Sequence, residues 1–523
     1  MRRPGRDPRA EVVSPAPPRG APPSGRPPRA VVVGGGIAGL AAAAALAERG
    51  VAVTVLEREE QVGGRLRGWP TTLRDGSRVT MSRGFHAFFR QYYNLRALLR
   101  RADPGLDALA PLPDYPLVHA GGARDGFTGL PPAPPWNAFA LAARSPSFPV
   151  RELARVNTAA AAQLLDVDVP GVYARLDRVA APDLLEAVRF PASARHLAFE
   201  VFSRSFFADP RHLSAAELAV MFHIYFLGSA EGLLFDVPRA PFPRALWDPL
   251  ADRLRGLGVW VRTGARVEGI AAESPASGAG PRFAVWAAGE RHACDAVVLA
   301  ADVAGLRALA ERMEGADPAW LGRLKRLPSA PPFLVSRLWL DRPVAPSRPG
   351  FLGTAGFPTL DNVSVLDRFE DEAAAWAART GGSVVELHAY ALPAGSDERA
   401  ERARLLAQLH RVYPETARAG VVDERHELRA DCPLFPPGGF TERATVRTPD
   451  PGIAVAGDHV RVDLPVALME RAATSGFLAA NTLLAGWGLP GHPVWTVPRR
   501  GRLAPARAYA RWARSGAERR NDG

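Results

Sequence analysis

The sequence predicts an α/β protein in which a parallel-sheet domain, assembled from separated stretches of chain, is interleaved with an α+β domain. Three observations predict it: a complete β-α-β pattern near the start, a return of that style at 244–305 and 452–485, and text of another character in between. The chain of 523 residues has room for two or three domains at about 150 residues each, and its apolar fraction of 47% is that of an ordinary globular core.

Residues 1–29, rich in Pro, Arg, Gly and Ser, show no periodicity and few large apolar side chains, and are expected to form a disordered basic leader. A β-branched run at Val31, Val32 and Val33 then opens a strand. An Ala-rich helix from about Ile37 to Arg49 follows, Gly50 stops it, and VAVTVLE (51–57) forms the next strand. From about Trp69 to Phe242 the pattern is mixed, with helical stretches, Pro-rich breaks at 131–135 and aromatic clusters at 85–93 and 222–226. A helix, the strand VWVRTGARVEGI (259–270) and the buried run DAVVLAA (295–301) restore the first style. Strand-like FLVSRLWL (333–340) and SVVELHAYAL (383–392) flank a Trp-bearing helix, before the buried strand of IAVAGD (453–458) and a helix beginning within LPVALMERAATSGFLAAN (464–481). The first domain accordingly takes 30–104, 244–319 and 445–490, the second 105–243 and 320–444, and 491–523 is a basic tail.

The net charge of +11 sits at the ends: residues 1–30 hold seven Arg against Asp7 and Glu11, and residues 499–523 hold eight Arg against Glu518 and Asp522. The remaining 50 basic and 50 acidic side chains cancel. A neutral body is no polyanion-binding surface, so no nucleic-acid partner is expected. Cys294 and Cys432 are too few for a thiolate-held iron–sulfur cluster or a structural zinc within the chain, and no metal site is expected. Nothing asks for the one disulfide they allow, which fits a cytoplasmic location. No apolar run reaches the roughly 20 residues that span a bilayer, and no apolar h-region follows the basic start, so neither membrane insertion nor secretion is expected.

Gly34, Gly36 and Gly39 form G-x-G-x-x-G between strand and helix, and Glu57 ends the second strand. Dinucleotide binding needs this order. The first glycine turns the chain, the second lets the backbone approach a pyrophosphate, and the third packs helix on strand, while the helix N-terminus offers N–H donors and the carboxylate takes ribose hydroxyls. The domain is therefore Rossmann-like.

Five residues beyond Glu57 stand Gly63, Gly64 and Arg65. The resulting E-x5-GGR segment resembles the FAD-binding signature of the amine oxidase and carotenoid desaturase superfamily. The resemblance implies FAD as cofactor, with Gly63, Gly64 and Arg65 beside its pyrophosphate and flavin and the backbone of Val267 at its adenine. It also places Asp458, after Gly457, at the ribityl–phosphate region, with the following helix N-terminus facing the flavin.

The stretch SRGFHAFFRQYYNLR (82–96) resembles a desaturase segment through Gly84, His86, Phe88, Phe89, Tyr92 and Asn94. With Arg90, Gln91 and Tyr93 it is most similar to the carotenoid phi-ring synthases, or isorenieratene synthases. Supporting stretches lie at 199–210, 221–238, 381–391, 431–435 and 464–476, and the resemblance covers about 30–490. It implies that Phe85, Phe88, Phe89, Tyr92 and Tyr93 line a substrate site. His223 and His388 read as structural, and the apolar runs 218–227 and 233–237 as core, tunnel wall or interfacial face.

The implied reaction is oxidation of β-carotene, in which each β-ionone ring loses four hydrogens and one methyl of the geminal pair shifts to the neighbouring carbon, giving isorenieratene through a one-ring intermediate. A flavin suits hydride removal, aromatic faces suit the cation left behind, and one residue must take a proton. His86 is the candidate by type and Glu470 the alternative. The implied partners are a carotenoid, an electron acceptor such as quinone or oxygen, and the inner face of the cell membrane as a peripheral contact. Chi-ring synthase, another carotenoid desaturase or isomerase, an amine oxidase and a non-catalytic FAD-bound scaffold stay open as alternatives.

Overall fold

The computed structural model describes residues 5, 7–20, 25–112, 114–198, 207–273 and 280–521. Part of the aromatic stretch 199–210, residues 199–206, lies outside the described residues.

Five strands form one parallel sheet in the order Trp260–Arg262, Ala52–Leu56, Arg29–Val33, Ala296–Leu299, Ile453–Val455. Their Val, Ile, Leu and Ala side chains are almost wholly buried at the centre, as a sheet covered on both faces requires. The order reverses between Arg29–Val33 and Ala296–Leu299, and the crevice beyond the carboxyl ends of such a pair is where doubly wound sheets bind ligands. The helix Ile37–Ala47 follows the first of these strands and packs along the long helix Leu468–Gly486. Small residues permit the close crossing: a Cβ on Gly476 would stand 2.3 Å from the Ala38 carbonyl oxygen.

A second, seven-stranded sheet runs in the order Val421–Arg429, Phe333–Leu340, Ser383–Ala389, Asn362–Val365, Phe351–Ala355, Leu117–His119, Arg124–Asp125. Helix Asp371–Thr380 stands between two of its strands as the sequence pattern indicates, and its buried Trp376 packs with Trp339 and Val384 of the sheet. The aromatic stretch at 85–93 contributes a two-residue strand, Phe88–Phe89, to a small sheet with Phe235–Pro238 and Leu109–Pro111.

Two expectations need correction. The single strand at 259–270 is two: Trp260–Arg262 joins the parallel sheet, and Val267–Ala272 joins a separate four-stranded sheet. Gly264, at φ +65, turns the chain between them, where the amides of Gly264 and Ala265 donate to the carbonyls of Glu59 and Glu57. The leader and basic tail are ordered against each other where they are described. Glu11–Val13 pairs antiparallel with Val494–Thr496, buried Asp7 meets Arg502 at 2.5 Å, and Ala504–Asn521 is a helix. Opposite charges supply what apolar content alone does not: Arg499 at one end also pairs with Glu11 at the other, and Arg26 of the leader pairs with Asp295 of the body. Of the readings open for the run 218–227, the structure selects packed core, nearly all of it being buried. Among the described residues no helix is long and apolar enough to cross a membrane.

Candidate active site

One cavity of about 610 Å³ begins at the sheet's reversal point and continues to the face of the second sheet. Its first half is the glycine-rich crevice. Gly34, at φ +109, turns the chain so closely past the neighbouring strand that a Cβ would stand 2.6 Å from the Ala300 carbonyl oxygen. Gly36 and Gly64 face each other, each lining the cavity, and the amide of Gly63 donates to the carbonyl of Gly35 at 2.8 Å. Trp247 backs this second turn, its indole N–H donating to Leu66 O at 2.7 Å. Beyond Gly36 the first-turn amides of the helix have no carbonyl one turn earlier to accept from them. Two bare backbone turns flanking a helix N-terminus form a cradle that side chains would fill, and it fits a pyrophosphate.

Glu57 lines the cavity with its carboxylate already oriented. Oε2 accepts from the Gly35 amide at 2.6 Å and Oε1 from the Glu59 amide at 2.9 Å. Burial pushes its carboxyl up against these two bonds. Each oxygen retains a further lone pair, so ribose hydroxyls can donate to it. Val267 lines the same end. At the other end Arg65 meets Asp458 at 2.5 Å beside Gly457. Burial works to raise the Asp458 carboxyl, but the guanidinium outweighs it and holds it below the usual range, so the pair stays charged. Behind it, Arg471 donates to the Asp458 and Val466 carbonyls and is itself held by buried Glu217 at 2.9 Å. The residues present thus fit a flavin dinucleotide along its whole length.

The second half of the cavity is walled by aromatic rings. Phe85 stacks on Phe351 at 4.4 Å, and Phe89 lies 4.7 Å from Tyr225 and 5.2 Å from Phe235. Tyr92, its hydroxyl bonded to that of Tyr225 at 2.7 Å, Tyr115 and Phe127 extend the wall. His86 stands at the junction of the two halves. Its Nδ1 lies 2.9 Å from the Gly84 carbonyl oxygen, which only accepts, so Nδ1 carries the hydrogen and Nε2 the lone pair. Burial, with Arg65 and Arg83 nearby, pushes the imidazole down to about 4, so it is neutral at physiological pH.

The cavity gathers Gly34, Gly36, Glu57, Gly63, Gly64, Arg65, Val267, Gly457, Asp458, Phe85, His86, Phe89 and Tyr92. Gly39 lies behind it and packs helix on strand, a Cβ there meeting Gly34 O at 1.9 Å. Three further expected site residues stand outside the lining. The alternation of a strand turns Phe88 away from Phe89 into the core, and Tyr93 is fully buried with its hydroxyl on Glu231. Glu470 is occupied elsewhere: it accepts the amides of Asn94 and Leu95 and the Asn94 side chain, all within 2.9 Å, and so caps the helix Tyr93–Leu99. Conversely His388, read as structural, lines the cavity together with Asn362 and Tyr390. A legible signal existed: Glu386, His388 and Tyr390 alternate along an otherwise apolar strand and so share one face.

A family model of flavin-containing amine oxidoreductases matches residues 37–484. The carotenoid phi-ring synthase of Streptomyces griseus is 61% identical over 507 residues, covering 97% of this chain and 97% of that protein. That of Chlorobaculum tepidum is 27% identical, with 91% of each chain covered. A solved structure of a putrescine oxidase double mutant superposes with a TM-score of 0.63 at 17% identity, over 88% of this chain and 99% of that one, a likeness of fold.

Proposed function

The chain belongs to the flavin-containing amine oxidoreductase family and, within it, to that of the carotenoid phi-ring synthases, and from that premise we propose that it aromatises the β-ionone rings of β-carotene with a 1,2-shift of one methyl in each, giving isorenieratene through the one-ring intermediate. It is an FAD-dependent oxidoreductase. The observation that carries the finer reading is the continuity of the dinucleotide crevice with an aromatic-walled chamber. A hydrocarbon offers no polar atom to recognise, so shape and ring faces have to hold it.

Bound in the crevice, the flavin would supply a two-electron acceptor for hydride. Gly34, Gly36, Gly63 and Gly64 would hold its pyrophosphate, Glu57 its ribose, and Arg65 with Asp458 the region nearest the chamber. The quaternary ring carbon joins an aromatic system only after a methyl leaves it, and the positive charge that drives such a shift is sheltered by the faces of Phe85 and Phe89. His86, neutral and with Nε2 unprotonated, suits the removal of a proton from the ring. These side chains also exclude water that would otherwise trap the cation.

A lipid-soluble substrate has to be drawn from a bilayer, and we assign a peripheral contact on the inner face of the cell membrane to the helix Trp136–Arg144 and its neighbour Val150–Leu153. Trp136 is 64% exposed, Phe139 61% and Val150 81%, with Arg144 and Arg151 beside them in sequence. Aromatic side chains with flanking arginines suit an anionic interface. Membrane quinone or oxygen would be the final electron acceptor. Sedimentation with anionic vesicles should be lost on replacing both Trp136 and Phe139 by Ser.

The function itself is tested by expressing the chain in cells that accumulate β-carotene, with linear-carotene producers in parallel, and analysing pigments by chromatography, mass and NMR. Loss of four and then eight hydrogens, with the phi methyl pattern, is expected. A chi pattern would correct the regiochemistry. Unchanged β-carotene beside a converted linear carotene would overturn the substrate.

A further inference from the structure

We propose that Tyr390, His388 and Glu386 form a proton relay opening on the substrate chamber, through which Tyr390 accepts a second proton from the ring. The inference rests on the reading of the chain as a carotenoid oxidoreductase. The four hydrogens lost per ring leave as two hydrides and two protons, and His86 would account for one proton acceptor.

Strand register assembles the relay. Arg337 lies opposite Glu386 in one neighbouring strand, and Asn362 opposite His388 in the other, all within the second sheet. Glu386 is fully buried and accepts two bonds from Arg337 at 2.8 and 3.0 Å and the amide of Phe85 at 2.6 Å. Burial opposes its charge, but Arg337 prevails and holds the carboxyl down at about 2. An ionised carboxylate only accepts, so His388 Nε2, 2.9 Å away, carries the ring hydrogen and Nδ1 is the acceptor. The Tyr390 hydroxyl, 2.6 Å from Nδ1, therefore donates to it. Asn362 Nδ2 donates to the same phenolic oxygen at 3.1 Å, which fixes the direction of the O–H. Tyr390, His388 and Asn362 all line the cavity.

The sequence protects this arrangement. Gly84, at φ +95, passes so close that a Cβ would stand 2.6 Å from His388 Cε1 and 3.0 Å from Glu386 Oε1. The glycine of the G-x-H segment thus lets the His86 loop lie directly on the relay.

In the step, a ring C–H bond breaks and its electron pair enters the ring π system. The proton bonds to the Tyr390 oxygen as the tyrosine hydroxyl proton moves to His388 Nδ1, and the imidazolium so formed faces the Glu386 carboxylate. The transfer is redox-neutral and discharges the cation that a two-electron oxidation leaves. Tyr390 is the catalytic residue; His388 and Glu386 are positioning residues.

The test compares purified flavin-loaded wild type with Tyr390→Phe and His388→Gln, in single turnover, in H2O and D2O, on whichever carotene the wild type converts. Tyr390→Phe, which keeps the ring and its packing, should slow product formation about 100-fold and abolish the solvent isotope effect at unchanged flavin content. His388→Gln should lose the isotope effect as well. Rates for Tyr390→Phe within about twofold of wild type would overturn the relay. Conversion of linear carotenes alone would remove the ring reading yet still test the relay, because each desaturation also releases a proton. Independently of activity, 15N NMR of labelled histidine should show His388 as the Nε2–H tautomer, and the Nδ1–H tautomer would overturn the proposal.

Discussion

Gly84→Ala adds one methyl group at the point where three parts of the site meet. Alanine at φ +95 costs about 1 to 2 kcal/mol relative to glycine. The new Cβ would also stand 2.6 Å from the His388 ring, which is pinned between Glu386 and Tyr390 and has nowhere to retreat. Forcing a methyl into a packed core costs a further 1 to 3 kcal/mol or so, and the total comes to about 2 to 5 kcal/mol. The strain would be relieved by lifting the loop, which stretches the 2.6 Å bond from the Phe85 amide to Glu386 and displaces His86. Urea unfolding should show the lowered stability, and carotene turnover per bound flavin should fall, while flavin content is kept because the crevice glycines are untouched. An unchanged urea midpoint together with unchanged turnover would refute the close packing from which this follows.

Three further outcomes are expected. Arg65→Met leaves Asp458 without its counter-ion at the flavin crevice, and a charged hydrogen bond of about 1.5 to 3 kcal/mol predicts flavin binding weaker by about 10- to 100-fold, read by titration of apoprotein. Glu470→Gln weakens a helix cap that stands outside the cavity lining, so it should lower the melting temperature while the flavin-loaded variant keeps its turnover. Burial works to raise the Glu217 carboxyl, but Arg443 and Arg471 hold it down at about 2, below its unfolded value near 4.5. The stability this contributes, about 3 kcal/mol, is fully present above pH 4.5 and is lost as pH falls towards 2. Acid unfolding of Glu217→Gln, already destabilised at neutral pH, should be correspondingly flatter over that window.

The glycine-rich crevice was legible because its shape is set by backbone. Gly34, Gly36, Gly63 and Gly64 stand where a side chain would block a turn or a ligand, and such constraints appear directly as residue identity. Glu57 was legible for the same reason, since a strand end fixes its place. The chamber was less so. Phe88 and Phe89 are equivalent in composition, and only the pleat decides that one faces the cavity and the other the core. Glu470 has the chemistry of a base but a partner set, Asn94 and Leu95, nearly four hundred residues away in sequence, which local pattern does not reveal. The ends misled because composition measures apolar content alone. Asp7 with Arg502, and the pairing of Glu11–Val13 with Val494–Thr496, order these segments through contacts between the two chain termini. In Glu386, His388 and Tyr390 the signal was present as period-two alternation, but its meaning depends on Arg337 and Asn362 arriving on the neighbouring strands.

The central claim is that a flavin in the crevice and a carotene in the adjoining chamber exchange electrons within one cavity. Anaerobic mixing of the flavin-loaded protein with β-carotene in detergent micelles tests it most directly, with flavin absorbance followed in time and the pigment analysed afterwards. Bleaching of the flavin, with β-carotene lowered in mass by two hydrogens for each flavin reduced, is the predicted result. A flavin that stays oxidised beside unaltered β-carotene, while the same preparation is reduced by an amine or by a linear carotene, would contradict it.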